Sequence, residues 1–325
     1  MLTKDILKKI EIALDLTFLQ PTKKGGGGCI NEGVIYNSNI GELFLKQNSK
    51  QGSKLMFEGE LESLRAIHKT ETIRVPKPLA LVEDEKSCSS TVVLVMEALD
   101  MKGGAAGAQL GSQLADLHLH NLKLRDPTGA SRMSASSEEA GDGTDIVYEK
   151  RFGFSVPTCC GFIPQDNEWC DDWQVFFARK LDFQIKKLQT ESSGRSVGEA
   201  VELWPQLQRE VPRLFEGASD VTPSLLHGDL WGGNAATVQE HGASIPVVFD
   251  PASFYGHHEY DLAIAAMFGG FSKEFFSSYF EKLPKAAGWE SRHQLYQLFH
   301  YLNHWNHFGS SYSSSSLHIM KTLTK

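Results

Sequence analysis

His227-Gly-Asp229-Leu-Trp231-Gly-Gly-Asn234, followed by the apolar run Val247-Val-Phe249 that ends on Asp250-Pro251, decides how this chain folds and what it can do. One Asp lies five positions ahead of an Asn in a glycine-rich turn, and a second Asp closes a strand-like segment. Mg²⁺ wants hard oxygen ligands and takes only one or two carboxylates from a protein, the rest coming from phosphates and water. Asn234 and Asp250 suffice for that. Asp229 then stays outside the metal shell, with a lone pair to face an incoming hydroxyl. A plain Gly/Asp turn between two strands would explain the first motif alone, but not the apolar-Asp-Pro that follows it.

The same spacing occurs in protein kinases, where the catalytic-loop Asp accepts the substrate proton and the Asn holds metal. The chain carries the companion parts upstream, in the required order. Gly25 to Gly33 is a glycine-rich run whose backbone N–H groups suit phosphates, with Gly27, Gly28, Cys29 and Ile30 as candidate nucleotide contacts. It leads into a hairpin: Val34-Ile-Tyr36, a turn at Ser38 to Gly41, and Leu43-Phe-Leu-Lys46. Met56, Phe57, Leu61, Leu64 and Ile67 mark a helix that also bears Glu60. A strand Lys held by a helix Glu is the kinase device for gripping phosphates, which assigns Lys46 and Glu60. Leu79 to Val82 and Thr91 to Met96 add two strands, the second of which closes the sheet. Glu97, Ala98 and Leu99 would be the hinge.

The rest of the composition narrows the class. At 325 residues the chain suits two lobes. Its net charge of -8 argues against a phosphate-backbone binder, and no apolar run is long enough to span a membrane. Lys4, Asp5, Lys8, Lys9, Glu11 and Asp15 among the first apolar residues are unlike a secretory or transit segment, so the cytoplasm is expected. Leu2, Ile6, Ile10, Ala13 and Leu14 fall at helical spacing. Five cysteines, two of them adjacent at Cys159-Cys160, make neither a disulfide framework nor a spaced zinc site. His118 and His120 lie two apart, which a helix cannot converge on a metal. Residues 126–145 are small and polar and are expected to be a mobile loop. Trp173, Phe177, Leu181, Ile185 and Leu188 form one core stripe of a long helix. Asp261, near the start of another helix, is equally a loop anchor or a simple helix-terminal charge.

Three segments carry a resemblance to a known family: Leu225 to Asn234, Phe249 to His257, and Leu302-Asn-His-Trp-Asn-His-Phe-Gly309. They resemble the fructosamine-3-kinase and ketosamine-3-kinase family, and the similarity extends over nearly the whole chain. The resemblance implies a two-lobe, α+β protein-kinase-like fold of the aminoglycoside-phosphotransferase kind. A small lobe would occupy residues 1–96, a hinge 97–101 and a mostly helical lobe 102–325. It also implies ATP and Mg²⁺ as cofactors and phosphorylation of the 3-hydroxyl of ketosamines on glycated lysines, a step toward deglycation. Ala98 departs from the bulky polar residue expected at the hinge; main-chain atoms do the recognition there, so little depends on it. Cys159 to Pro164 resembles a segment peculiar to these kinases and has no mechanism evident from sequence, so both thiols are expected to act as small hydrophobes. Asn303, His304 and His307 either satisfy one another in the core or face substrate. Trp231 and His304 are the acceptor-binding candidates, since sugars bind by aromatic stacking with polar groups on their hydroxyls. His257 to Tyr260 and Gly232-Gly233 look closer to the ketosamine-3-kinase branch, whose members favour ribulosamines and psicosamines. The alternatives are a small-molecule kinase of aminoglycoside or choline type, and a silent nucleotide-binding protein. Complete Lys46, Glu60, Asp229, Asn234 and Asp250 speak against silence.

Cys29 sits at the mouth of the glycine run beside Lys23 and Lys24, where a thiolate is favoured. Related ketosamine kinases carry a cysteine at this point that is linked to disulfide dimerisation, which implies a reduced monomer and an oxidised dimer. On non-reducing electrophoresis, oxidant should yield a less active dimer that thiol reductant reverses. Cys29→Ser should stay monomeric, and a dimer that persists in it would move the switch to another cysteine.

Overall fold

The computed structural model describes residues 2–27, 32–84, 91–102, 107–125, 147–218 and 220–325. Gly28, Cys29, Ile30, Cys88 and the polar segment 126–145 lie outside the described residues, and with them the nucleotide-loop tip and the redox expectation.

The N-terminal part is a five-stranded antiparallel sheet. Its strands are β1 (Leu19–Gly27), β2 (Glu32–Ser38), β3 (Gly41–Asn48), β4 (Pro78–Asp84) and β5 (Thr91–Glu97), in spatial order β1-β2-β3-β5-β4. Helix α1 (Lys4–Ala13) is capped by Thr3, whose side chain accepts from the Ile6 amide. Helix α2 (Ser53–Lys69) follows β3. The period-two alternation of β5 explains its unbroken apolar sequence. Val93 and Val95 join Ile6, Ile10, Leu43 and Leu45 in a cluster with α1. Val92, Leu94 and Met96 join Phe57, Leu61, Leu64 and Ile67 of α2 on the opposite side. β5 is therefore an interior strand and β4 the edge, whereas the sequence had suggested that β5 closes the sheet. β1 was also unforeseen: Pro21 and three glycines have poor strand propensity, and pairing with β2 overrides it, with a register shift between Pro21 and Gly25.

The remainder is mostly helical: α3 (Ala108–Arg125), α4 (Trp173–Glu191), α5 (Arg195–Leu214), α6 (Glu259–Met267), α7 (Lys273–Lys282), α8 (Trp289–Phe308) and α9 (Ser313–Leu323). Short strands punctuate it: β6 (Cys159–Cys160) pairs with β7 (Ile163–Pro164), and β8 (Ser224–Leu225) with β11 (Tyr255–Gly256). The hairpin of β9 (Ala235–Glu240) and β10 (Ala243–Val248) joins the two halves of the diagnostic motif. Helix α8 packs on α4, α6 and α9. The α2 face of the sheet and the helical part share one apolar cluster, running from Phe57 and Leu94 through Leu114, Trp173 and Phe254 to Leu302.

One buried ion pair ties α6 to α8. The guanidinium of Arg292, 0% exposed, donates Nε to Glu259 Oε2 at 2.8 Å and Nη2 to Oε1 at 2.7 Å, and its Nη1 donates to Ala287 O at 2.6 Å. Removing one partner of such a pair strands a buried charge. Arg292→Met should lower unfolding free energy by about 3–5 kcal/mol in urea titrations, and adding Glu259→Gln should recover part of the loss.

Candidate active site

Asp261 holds the catalytic stretch in place. Fully buried in the first turn of α6, it accepts the His227 amide at Oδ2 (2.8 Å), the Gly228 amide at Oδ1 (2.8 Å) and His118 Nε2 at Oδ2 (3.1 Å). Burial alone would push this carboxyl up, but the hydrogen bonds it accepts from His118 and the Gly228 amide hold it below the usual range. Asp261 thus anchors the loop. His118, set aside as a metal ligand from sequence, belongs to that anchor.

His227 joins the two halves of the motif. Its Nε2 donates to Phe249 O at 3.1 Å and its Nδ1 accepts from the Asp229 amide at 3.3 Å, which is the neutral tautomer that burial favours. The Ala252 amide returns a bond to His227 O at 2.8 Å. That approach is close enough to require glycine next door. Gly228 has φ +86°, and a Cβ there would lie 2.0 Å from Ala252 O.

These bonds set the geometry of the candidate residues. Asn234 Nδ2 donates to Asp229 O at 2.9 Å, leaving its Oδ1 as the metal-type ligand atom. Asp250 adopts φ +55°, a costly conformation outside glycine, and keeps a side chain 46% exposed. Lys46 Nζ reaches across from β3 to Glu60 at 2.7 and 2.8 Å and to Asp250 Oδ1 at 2.8 Å. Burial would favour a neutral amine, but the two carboxylates outweigh it and keep Lys46 charged. Lys46, Glu60 and Asp250 thus form one contact group, and Asp229 and Asn234 form another. Two oxygen donors, one of them largely solvated, fit a hard divalent cation.

Just after β5, the Ala98 amide donates to Glu42 O at 3.1 Å and is committed to the sheet. The Glu97 carboxylate bonds Arg74 Nη2 at 2.7 Å and the Lys77 amide at 3.2 Å. Leu99 packs on the apolar face of the β9–β10 hairpin with Ala236, Val238 and Val247.

Trp231 is 39% exposed, two residues from Asp229, with its indole so close over Gly233 that a Cβ there would meet it at 2.2 Å. His304 donates Nδ1 to His300 O at 2.7 Å, and its ring lies against Phe268 at 4.9 Å and Tyr312 at 5.1 Å. The turn after Phe268 brings Gly269 and Gly270 against Gly232, so Trp231 and His304 flank the same corner of the fold. Asn303 and His307 are occupied with structure. Asn303 Nδ2 donates to Cys160 Sγ at 3.2 Å, and His307 donates Nδ1 to Asn303 O at 2.7 Å and accepts the Phe162 amide at 2.9 Å.

The polar layer beneath the loop has no signature in sequence. Thr158 donates to Ser253 O at 3.2 Å, Gln165 Nε2 to Ala252 O at 3.4 Å, and the buried Lys180 to Gln165 Oε1 at 3.1 Å and Asn167 Oδ1 at 3.0 Å. Burial lowers Lys180 to about 7. Cys160 is more than a small hydrophobe: its sulfur accepts from Asn303 and lies within 4.8 Å of an Asp229 carboxylate oxygen. Burial pushes the Cys159 thiol up to about 12 and Cys160 well above its ordinary value, so neither is a ready nucleophile.

The family model described as fructosamine kinase matches residues 4–325. A ketosamine-3-kinase of Mus musculus is 48% identical over 314 residues, covering 96% of this chain and 97% of that protein. A chloroplastic protein-ribulosamine 3-kinase of Arabidopsis thaliana is 38% identical over 306 residues, covering 93% and 82%. A solved candidate fructosamine-3-kinase from Haemophilus somnus 129PT superposes with TM-score 0.70 at 21% identity, covering 98% of this chain and 96% of that one. That last likeness speaks to the fold alone. Among the described residues, no helix is long and apolar enough to cross a membrane.

Burial and the neighbouring Asp250 raise the Asp229 carboxyl from 3.8 to about 7. The folded chain therefore binds this proton more tightly than the unfolded one, and Asp229 contributes stability below 3.8 that is lost as pH rises through about 7. Carboxyl-labelled aspartate NMR should reveal one resonance titrating near neutrality, absent in Asp229→Asn. Ordinary carboxylate titration at every position would contradict the assignment.

Proposed function

The chain belongs to the fructosamine kinase family, and from that premise we propose that it is an ATP-dependent kinase acting on the 3-hydroxyl of ketosamines on glycated lysines. Ribulosamine and psicosamine are the favoured acceptors in this proposal, with fructosamine behind them. The observation that supports it is the contact of Lys46 with both Glu60 and Asp250 beside the Asp229–Asn234 loop, the contact expected if Lys46 grips phosphate, Asp250 holds metal and Asp229 is the base.

Residues 1–96 would cover the nucleotide, 97–101 meet the adenine edge, and 102–325 supply the base and the acceptor site. With the Ala98 amide engaged by Glu42, adenine would be read by the Glu97 carbonyl and the Leu99 amide, over the Leu99 side chain. Gly27, Gly28, Cys29 and Ile30 are proposed to cover the phosphates. Asn234 Oδ1 and Asp250 would hold Mg²⁺, which when bound draws charge from the phosphates. Lys46, released from Asp250, neutralises the phosphates while Glu60 keeps it in place. Asp229 aligns the sugar hydroxyl and takes its proton as the O–P bond forms. Trp231 and His304 hold the sugar, the indole by stacking and His304 by its remaining Nε2 lone pair. A phosphate at C3 is a good leaving group once the adduct enolises toward C1, so the amine is recovered. A cytoplasmic setting, with the reduced monomer as the working form, is part of this proposal.

Asp229→Asn should leave ATP binding near wild type and lower turnover of ribulosyl-lysine peptide by about two to four orders of magnitude. Near-normal turnover would remove Asp229 from the role of base. Comparing ribulosyl-lysine, fructosyl-lysine, choline and an aminoglycoside in the same assay should rank them in that order. Preference for either of the last two would favour a small-molecule kinase.

A further inference from the structure

We propose that Cys160, Asp229 and His300 form a binding site for a thiophilic divalent cation, zinc above all, whose occupation disables the catalytic base. The Cys160 sulfur, an Asp229 carboxylate oxygen and a His300 ring nitrogen all lie within 4.8 Å of one another. Some point is then within about 2.8 Å of all three, and zinc bonds of about 2.0–2.3 Å need only a small inward movement of the side chains.

His300 supplies a second, independent observation. Its ring is fully buried, and neither Nδ1 nor Nε2 has a hydrogen-bond partner among the described residues. A buried imidazole with two orphaned nitrogens carries a desolvation cost that a ligand at the site would offset. Burial lowers its pKa to about 3, so the ring is neutral at working pH, the form that binds metals. Tyr260 and Phe299 hold it, with ring centroids 4.9 and 5.3 Å away.

The donor set differs in kind from the proposed magnesium ligands. Sulfur, nitrogen and one carboxylate suit zinc or cobalt, whereas magnesium wants oxygen throughout. Asn303 Nδ2 already donates to Cys160 Sγ, a bond that strengthens when the sulfur becomes a thiolate, and Gln184 Nε2 steadies the amide by donating to its Oδ1 at 3.3 Å. Binding breaks the Cys160 S–H bond, forms a metal–sulfur bond and releases that proton, with any carried by Asp229, to buffer, so it tightens as pH rises. Asp229 remains partly exposed and offers access from the acceptor cleft, where water completes four-coordination. The other compact trio, His257, His258 and Glu259, is already engaged: His257 bonds Tyr296 at 2.7 Å and Glu259 bonds Arg292.

The inhibitory consequence rests on Asp229 being the base. With its lone pair on the cation, Asp229 cannot take the hydroxyl proton, while Lys46, Asn234 and Asp250 are left to bind nucleotide. Inhibition should therefore compete with acceptor and not with ATP.

Full-length reduced protein would be titrated with Co²⁺ and the thiolate-to-cobalt charge-transfer band followed, with Zn²⁺ as competitor. One equivalent is expected to bind in wild type and Cys159→Ser. Affinity should fall by about tenfold or more in Cys160→Ser and His300→Gln. Zinc-edge X-ray absorption on the wild type reads the sulfur ligand without any variant, so a misfolded variant does not spoil the test. A zinc shell without sulfur, or a cobalt band unchanged in Cys160→Ser, would overturn the proposal. Cysteine-dependent binding without loss of ketosamine phosphorylation in excess Mg²⁺ would leave the cation site standing and instead remove Asp229 as base.

Discussion

A single buried carboxylate fixes the part of the molecule that matters most. Asp261 takes the amides of His227 and Gly228, and those two bonds hold the backbone that presents Asp229. A charge in the core normally costs several kcal/mol, and three donors make this one tolerable. The loop cannot drift without stranding that charge, so the geometry of Asp229 is secured by a penalty on the alternatives. His227 extends the same constraint to the Phe249–Asp250 segment, and Asp229 and Asp250 are consequently set by one hydrogen-bonded unit.

Lys46 plays the complementary part between the sheet and the helical body. It lies on β3, its partner Glu60 on α2 and its third contact, Asp250, beyond β10. An ammonium shared by two carboxylates leaves one of them replaceable. Glu60 is buried, whereas the Asp250 side chain is 46% exposed. The pair with Glu60 is therefore the durable one, and Asp250 is the more replaceable arm, the one that would exchange Lys46 for a cation under the proposed function. Its left-handed backbone stores strain where the chain aims that carboxylate at Lys46.

Much of this was legible in the residues because kinase chemistry demands particular side chains in a particular order. Periodicity exposed α1, α2 and the α4 stripe, since each buries a regular face, and β5 showed as an unbroken apolar run because both its faces are buried. β1 escaped because glycine and proline give no strand signal, and its pairing with β2 is a tertiary effect. Asp261 remained ambiguous for a different reason. An acidic residue in the first turn of a helix has the same sequence appearance whether it faces solvent or accepts two loop amides. His118 was harder still, because its partners, Asp261 and Tyr279, are more than a hundred residues away.

The segments without a mechanism in sequence acquire one only together. Cys159 to Pro164 and the Asn303–His307 stretch of α8 dock on each other through Asn303 to Cys160 and Phe162 to His307. Beneath them Thr158, Gln165, Asn167 and Lys180 brace the backbone after Asp250. Neither segment has an apolar period that would reveal a packing face, and neither contains a complete constellation by itself. Their polar side chains answer one another across the fold, and at that junction Cys160 and His300 come to lie beside Asp229. The same docking that shapes the wall behind Asp229 therefore also brings sulfur and imidazole to it, a combination that the proposed phosphoryl transfer, which needs only oxygen ligands, does not itself require.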